Sequence, residues 1–313
     1  MSAPASIMNS ASLHRAGERA HRIRLHLTAI TAVVSVVALA VYGWNYYLLA
    51  AAERPFSPKH ELLKPSGSIA IKLGIAGVLL FMMIFLYPLR KRIKWLGGIG
   101  SAKHWLDFHV IAGLTAPVLI AFHASFKFRG IAGIAFWIML SVAISGVVGR
   151  YIYAQIPRSL SSAELSLKEL AEIEEELAKD LSAQSPLSAQ DFAPLLQVPT
   201  PAQVREMSVY RAILLMIVLD LCRPFHIARL RICVLGWSRV LPYFGGLIRT
   251  SHEDLERAIR IARTKAALSK RIAFLSRSQQ VFHLWHVIHR PFSYSFAVLA
   301  LIHIVVVIAL GFV

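Results

Sequence analysis

Five runs of roughly 20 apolar residues, each able to cross about 30 Å of hydrocarbon at 1.5 Å per helical residue, constrain this chain more than any other feature. They cover approximately residues 26–50, 68–89, 104–125, 131–155 and 284–313. Lipid offers backbone groups no partners, so each run must satisfy its own N–H and C=O groups, and a helix does so. The expected fold class is therefore all-α: a polytopic transmembrane helix bundle of about five spans with a helical cytoplasmic insertion. Only 16% of the residues are charged and 56% are hydrophobic, against roughly 25% charged in soluble domains. Arg15, Arg19, Arg22 and Arg24 precede the first run in the manner of a signal peptide. That run, from about Leu27 to Ala51, exceeds the roughly 7–15 apolar residues of a signal core and no small-residue cleavage site follows, so it reads as a membrane span.

The net charge of +17 comes from 34 Lys+Arg against 17 Asp+Glu. In so apolar a chain this excess fits the basic bias of cytoplasmic loops better than a nucleic-acid footprint, and no nucleic-acid partner is expected. Four of the basic residues precede the first run, 5 lie between the second and third, and 19 lie from Arg150 to Arg290, so 28 of the 34 fall on one side. The expected topology has a cytoplasmic N-terminus and an external C-terminus, in a bacterial inner membrane. Tyr42, Trp44, Tyr46 and Tyr47, and later Tyr151 and Tyr153, sit where interfacial aromatics belong.

The chain divides into a cytoplasmic N-terminal segment at 1–25, spans one to four within 26–155, a cytoplasmic helical insertion at 156–280 and span five within 281–313. Inside the insertion, Ser162 to Leu181 has helical spacing, and Ser185 to Pro201, rich in Ser, Pro and Gln, reads as a loop. Ala212 to Cys222 and Ile232 to Ile248 read as two surface-lying or packed helices, with a membrane hairpin as the alternative. Ser251 to Arg277 reads as a helix capped by Ser251 with an acidic first turn.

The most specific signal is the placement of the histidines. His109 and His123 lie 14 residues apart on the third run, and His289 and His303 lie 14 apart on the fifth. At about 100° per residue, 14 positions fall about 40° short of four turns, so each pair shares a helix face and is separated by roughly 21 Å of rise. Histidines within membrane runs are costly and usually functional. His104, His283 and His286 do not stay in phase with the outer histidines and are left as supporting or quinone-site residues. His14, His21, His26, His60, His226 and His252 read as solvated or interfacial. Neutral imidazole is a good iron ligand, and with spans three and five parallel, His109 meets His289 and His123 meets His303. Bis-histidine ligation fills both axial positions and favours electron transfer. Cys222 and Cys233 make no CxxCH motif, so any haem is held without covalent links. Arg150 and Arg290 are candidates to pair with propionates, and Gly130, Gly133, Gly146 and Gly149 allow close approach to a helix or a flat macrocycle.

The histidines, their spans and the expected cytoplasmic N-terminus resemble the ferric-reductase-like transmembrane superfamily, which includes the membrane part of NADPH oxidases, over roughly residues 68–155 and 280–313. The resemblance implies two stacked b haems on His109, His123, His289 and His303. The chain shows five spans, with no sixth, and no GxGxxG, so a separate flavin or iron-sulfur redox subunit is expected as partner. The spacing is also similar to that of the quinone-cycling cytochrome b family. The expected function is a di-haem b-type cytochrome, an electron-transfer subunit of an oxidoreductase complex, relaying electrons between a cytoplasmic or quinone partner and another redox partner. The alternatives are a quinone-reactive membrane anchor and a haem-free transporter or assembly scaffold.

Overall fold

The computed structural model of the chain describes residues 5–90, 92–156, 171–173, 175 and 189–311. Among these every regular element is helical: α1 Ala5–Tyr47, α2 His60–Leu63, α3 Ser68–Arg90, α4 Lys94–Gly97, α5 Ala102–His123, α6 Gly130–Tyr153, α7 Ala189–Leu196, α8 Pro201–Glu206, α9 Val209–Leu235, α10 Trp237–Val240, α11 Glu253–Ala273 and α12 Leu275–Ala309. Five helical stretches are long and apolar enough to cross a membrane: Gly17–Tyr47, His60–Arg90, Ala102–His123, Gly130–Tyr153 and Leu275–Ala309. Their outer surfaces are apolar side chains left exposed, such as Val33, Val37, Leu79, Met82, Ile144 and Val305. A water-soluble fold does not leave so much apolar surface open, and this is the build of an integral membrane protein.

The chain forms two compact units, Met1–Val148 with Val287–Val313, and Gly149–His286. In the first, α3 and α5 are the most closely packed helix pair and α1 also packs on α5. Ser101 caps α5 by accepting from the His104 N–H, satisfying one of the orphan donors of the first turn. After α5 the chain reverses through Ser125 and Phe126, both at positive φ. Arg54 holds that turn: its guanidinium donates to the carbonyls of Ser125 at 2.6 Å, Tyr47 at 2.9 Å and Leu49 at 3.1 Å, and the Ser125 hydroxyl donates to the Leu63 carbonyl. A buried charge is tolerated there because carbonyl oxygens replace its water.

The second unit has two apolar clusters. In one, Phe192, Leu195, Ile227, Leu230, Leu255 and Ile259 bring together α7, α9 and α11. In the other, Val204, Ala212, Met216, Ala273 and Phe274 pack together, with Tyr151 against them. Two ionic clamps, the first of them buried, tie α9 to α11. Arg231 donates to both oxygens of Glu256, at 2.8 and 2.7 Å, and to the Gly246 carbonyl at 2.6 Å. Asp220 accepts from Tyr151 at 2.7 Å and from Lys270 at 2.5 Å. Burial works to raise the Asp220 carboxyl, but the hydrogen bonds from Lys270 and Tyr151 and the charges of Lys270 and Arg223 outweigh it and hold it below the usual range.

Several expectations are corrected in this unit. The two segments expected at 212–222 and 232–248 are not separate helices: Val209–Leu235 is one helix that runs through Pro224, followed by the short α10. Membrane crossing is not supported for it, since it is absent from the five stretches above. Within the expected loop at 185–201 the chain forms α7, because Phe192 and Leu195 bury on one face and pull those residues into a helix. Thr200 and Gln203 then form a capping box that starts α8. The cap of α11 is His252, whose ring accepts from the Leu255 N–H, and not Ser251. Most of Ser162 to Leu181 lies outside the described residues.

Candidate metal centre

The two histidines of α5 are held by the backbone of one neighbouring helix. Nδ1 of His109 lies 3.1 Å from the Ile84 carbonyl, and Nδ1 of His123 lies 2.8 Å from the Ala70 carbonyl. A carbonyl can only accept, so in both rings Nδ1 carries the proton and donates it. Nε2 is then left with its lone pair, the arrangement that metal-ligating histidines use. Ile84 and Ala70 are themselves 14 residues apart on α3, which runs antiparallel to α5 with matching register.

The sequence of α3 explains why these carbonyls serve. Pro88 sits inside the helix four residues after Ile84, and having no N–H it leaves the Ile84 carbonyl without its helical donor. His109 supplies the missing donor. Four residues after Ala70 stands Gly74, where an added Cβ would lie 2.9 Å from Cε1 and Nδ1 of His123. Glycine there lets the imidazole lie against the helix backbone.

On α12, Nδ1 of His289 lies 2.8 Å from Oγ of Ser145. The Ser145 hydroxyl proton is already given to the Val142 carbonyl at 2.8 Å. Oγ therefore accepts from His289, and a third imidazole is set in the same tautomer. Gly146 flanks that ring, with its missing Cβ 3.8 Å from Cε1. His303 is half-buried and within electrostatic reach of His123.

Ring contacts fix the direction of α12 in this unit. Phe81 meets Phe296 at 4.6 Å and Phe85 meets Tyr294 at 6.5 Å, so α12 runs antiparallel to α3 and hence parallel to α5. The four histidines thus fall at two levels, His109 with His289 and His123 with His303. The backbones of α5 and α12 do not pack closely along their lengths. Among the described residues no three His, Cys, Asp or Glu side chains converge as a polydentate metal site. An iron in a macrocycle asks less of the protein, because the ring supplies four equatorial nitrogens and only two axial ligands are needed. Three imidazoles with the proton on Nδ1, two of them beside glycines, fit that group.

Arg290 is exposed and follows His289; Arg150 is half-buried in the last turns of α6. His286 bonds to the Phe282 carbonyl of its own helix at 3.1 Å, and His283 is exposed. His21, expected to be solvated or interfacial, is 3% exposed and so not solvated. It stacks on His104 at 3.5 Å and its Nε2 lies 3.2 Å from Asp107. The signal for this was Asp107, the one carboxylate within the third apolar run, which needs a buried partner. His60, also expected to be solvated or interfacial, is half-buried and bonded to the fully buried Tyr46 at 3.2 Å. Ser145, Gly74 and Pro88 were missed as site residues, although Gly74 and Pro88 repeat the 14-residue spacing. Comparison with protein-family models, with curated proteins and with solved structures finds no match.

Proposed function

We propose that this chain is a di-haem b-type cytochrome subunit, with His109 and His289 as axial ligands of one haem and His123 and His303 of the other, like the membrane part of ferric-reductase-like proteins. The observation that carries the reading is the locking of three imidazoles through Nδ1 to oxygen acceptors on neighbouring helices. Two of the three acceptors, the Ile84 and Ala70 carbonyls, repeat the 14-residue spacing of the histidines they hold. Bound haem supplies reversible one-electron chemistry at the iron. The residues of the chain would set the depth of each group through the 14-residue spacing, orient the rings of His109, His123 and His289 through Nδ1, and keep water away with apolar spans. Arg290, next to His289, would supply positive charge for a propionate. Electrons pass between a cytoplasmic or quinone partner and another redox partner, by way of a separate flavin or iron-sulfur subunit. The crowding of basic residues on one side supports a cytoplasmic N-terminus in a bacterial inner membrane.

A second reading, a quinone-reactive anchor, is favoured by the His21–Asp107 pair stacked on His104, since a buried histidine–carboxylate pair can take a quinol proton. One experiment addresses both. Purified from haem-replete cells and reduced with dithionite, the protein should show the sharp bands of low-spin b haem at about two haems per chain, as four axial histidines require. A colourless preparation sinks the haem reading; reduction of the same bands by a soluble quinol supports the second. A finer test is Ser145→Ala, which removes the acceptor that orients His289. It should weaken haem retention at that site by about 10–100-fold in a competition with apomyoglobin, while leaving the other site unchanged.

A further inference from the structure

We infer that the Gly149–His286 unit rests on the membrane surface, with the outer face of α9 and the turn after it set into the headgroup region of a leaflet containing anionic lipid. This does not depend on the haem reading. On α9, Tyr210, Leu214, Ile217, Val218, Leu221 and Phe225 are all exposed, Tyr210 by 76% and Phe225 by 65%. At 100° per residue they fall within one stripe about 100° wide. Ala228 stands five whole turns beyond Tyr210, in line with the stripe, and there it is buried. The segment after α10 covers it: a Cβ on Gly246 would lie 2.9 Å from the Ala228 carbonyl, and Arg231 donates to the Gly246 carbonyl. Together α10 and that segment bring five more exposed apolar residues, Trp237, Leu241, Phe244, Leu247 and Ile248. The stripe and the turn make one continuous apolar surface, larger than a solvated unit leaves open.

Lipid is the occupant because of where α9 is anchored. Tyr151, in the last turn of the apolar helix α6, donates to Asp220 on α9 and packs against Met216. Arg277, in the first turn of the apolar helix α12, donates to the Met207 carbonyl at 2.7 Å, two residues before α9 begins. α9 is thus held just before its start by Arg277 and near its middle by Tyr151, each at the end of a helix long enough to span a bilayer. Exposed cations border the apolar surface: Arg211 and Arg229 lie at one edge of the stripe, and Arg239 and Arg249 are interleaved with the turn. Apolar and aromatic side chains edged by arginine are the composition of an interfacial helix that favours anionic lipid.

The test uses the full chain in nanodiscs, carrying Cys222→Ser and Cys233→Ser, with one nitroxide at a time on cysteine at Leu214, Leu221, Phe244 or Thr264, the last on the exposed polar face of α11. All four positions are exposed, so the labels displace no core. Collision with oxygen and with a water-soluble nickel chelate is measured by EPR. In nanodiscs containing phosphatidylglycerol, labels at 214, 221 and 244 should collide often with oxygen and rarely with nickel, and the label at 264 the reverse. Replacing Arg211 by Gln should lower the lipid-embedded fraction relative to the exposed one by about five-fold, and purely zwitterionic discs should lower it further. Nickel access at 214, 221 and 244 equal to that at 264 overturns the inference. Low access to both reagents overturns it too, because that is the signature of a protein partner or a second copy. Embedding that is indifferent to lipid charge overturns the anionic preference.

Discussion

Leucine in place of His109 should leave one haem per chain instead of two, and leucine in place of His289 should remove the same one. The reason is depth. His109 and His123 are separated by roughly 21 Å of helical rise, and so are His289 and His303. An imidazole–metal bond is about 2 Å, so no single iron can take ligands from opposite ends of the pair. With α5 and α12 parallel, as the Phe81–Phe296 and Phe85–Tyr294 contacts require, His109 is left with His289 and His123 with His303. A redox titration of the four single variants reads this directly: the His109 and His289 proteins should retain a haem of one potential, and the His123 and His303 proteins a haem of the other. If the His109→Leu and His289→Leu proteins retain haems of different potential, the pairing is wrong. If His104→Leu or His286→Leu empties a site that His109→Leu or His289→Leu leaves filled, the ligands are wrong.

Glu256→Ala should cost the second unit about 3–5 kcal/mol, because it strands the buried Arg231 without its counter-ion. Arg231 is 6% exposed and Glu256 5%. Glu256 also accepts from the N–H and hydroxyl of Thr250, both at 2.9 Å, so one truncation leaves several donors unmet. Hydrogen exchange of the α11 amides in the reconstituted full chain should speed up by roughly a hundred-fold or more. The double variant Arg231→Met, Glu256→Leu removes both charges and should lose much less; equal losses in the two proteins would refute the account. Acid should act in the same direction as the truncation. Burial tends to raise the Glu256 carboxyl, but bonds from Arg231 and Thr250 overcome it and hold it below its ordinary value. A carboxyl lowered by folding stabilises fully above its unfolded value, near 4.3. That contribution fades as pH falls through the lower, folded value. Protection of α11 should therefore be flat from neutral pH to about 5 and decline below about 4.

The apolar runs made the five long helices legible, because length and hydropathy alone decide whether a segment satisfies its backbone in lipid. The position of the four histidines on α5 and α12 was legible for the same reason: a regular helix converts spacing into facing. What spacing could not show was the other side of each hydrogen bond. Nothing local to His289 indicates that Ser145, 144 positions earlier, receives its proton. The burial of His21 was not legible either, because Asp107, its partner, comes from α5, 86 positions later. The second unit was least legible. Two segments were expected at 212–222 and 232–248, yet one helix runs through Pro224 between them, since only one donor is lost and Ile227, Ala228 and Leu230 still gain a core. Ser251 looked like the better cap for α11, and a ring nitrogen one residue later took the role.

The separation between the two histidine levels is written twice, once in α5 by its histidines and once in α3 by Pro88 and Gly74. One helix is the ruler for the other. A residue inserted in α5 between His109 and His123 would turn one imidazole by about 100° and shift it by about 1.5 Å, away from the carbonyl that holds it. Restoring the match would require an insertion in α3 as well, between the proline and the glycine. The lengths of the two helices between these four marks can therefore change only together.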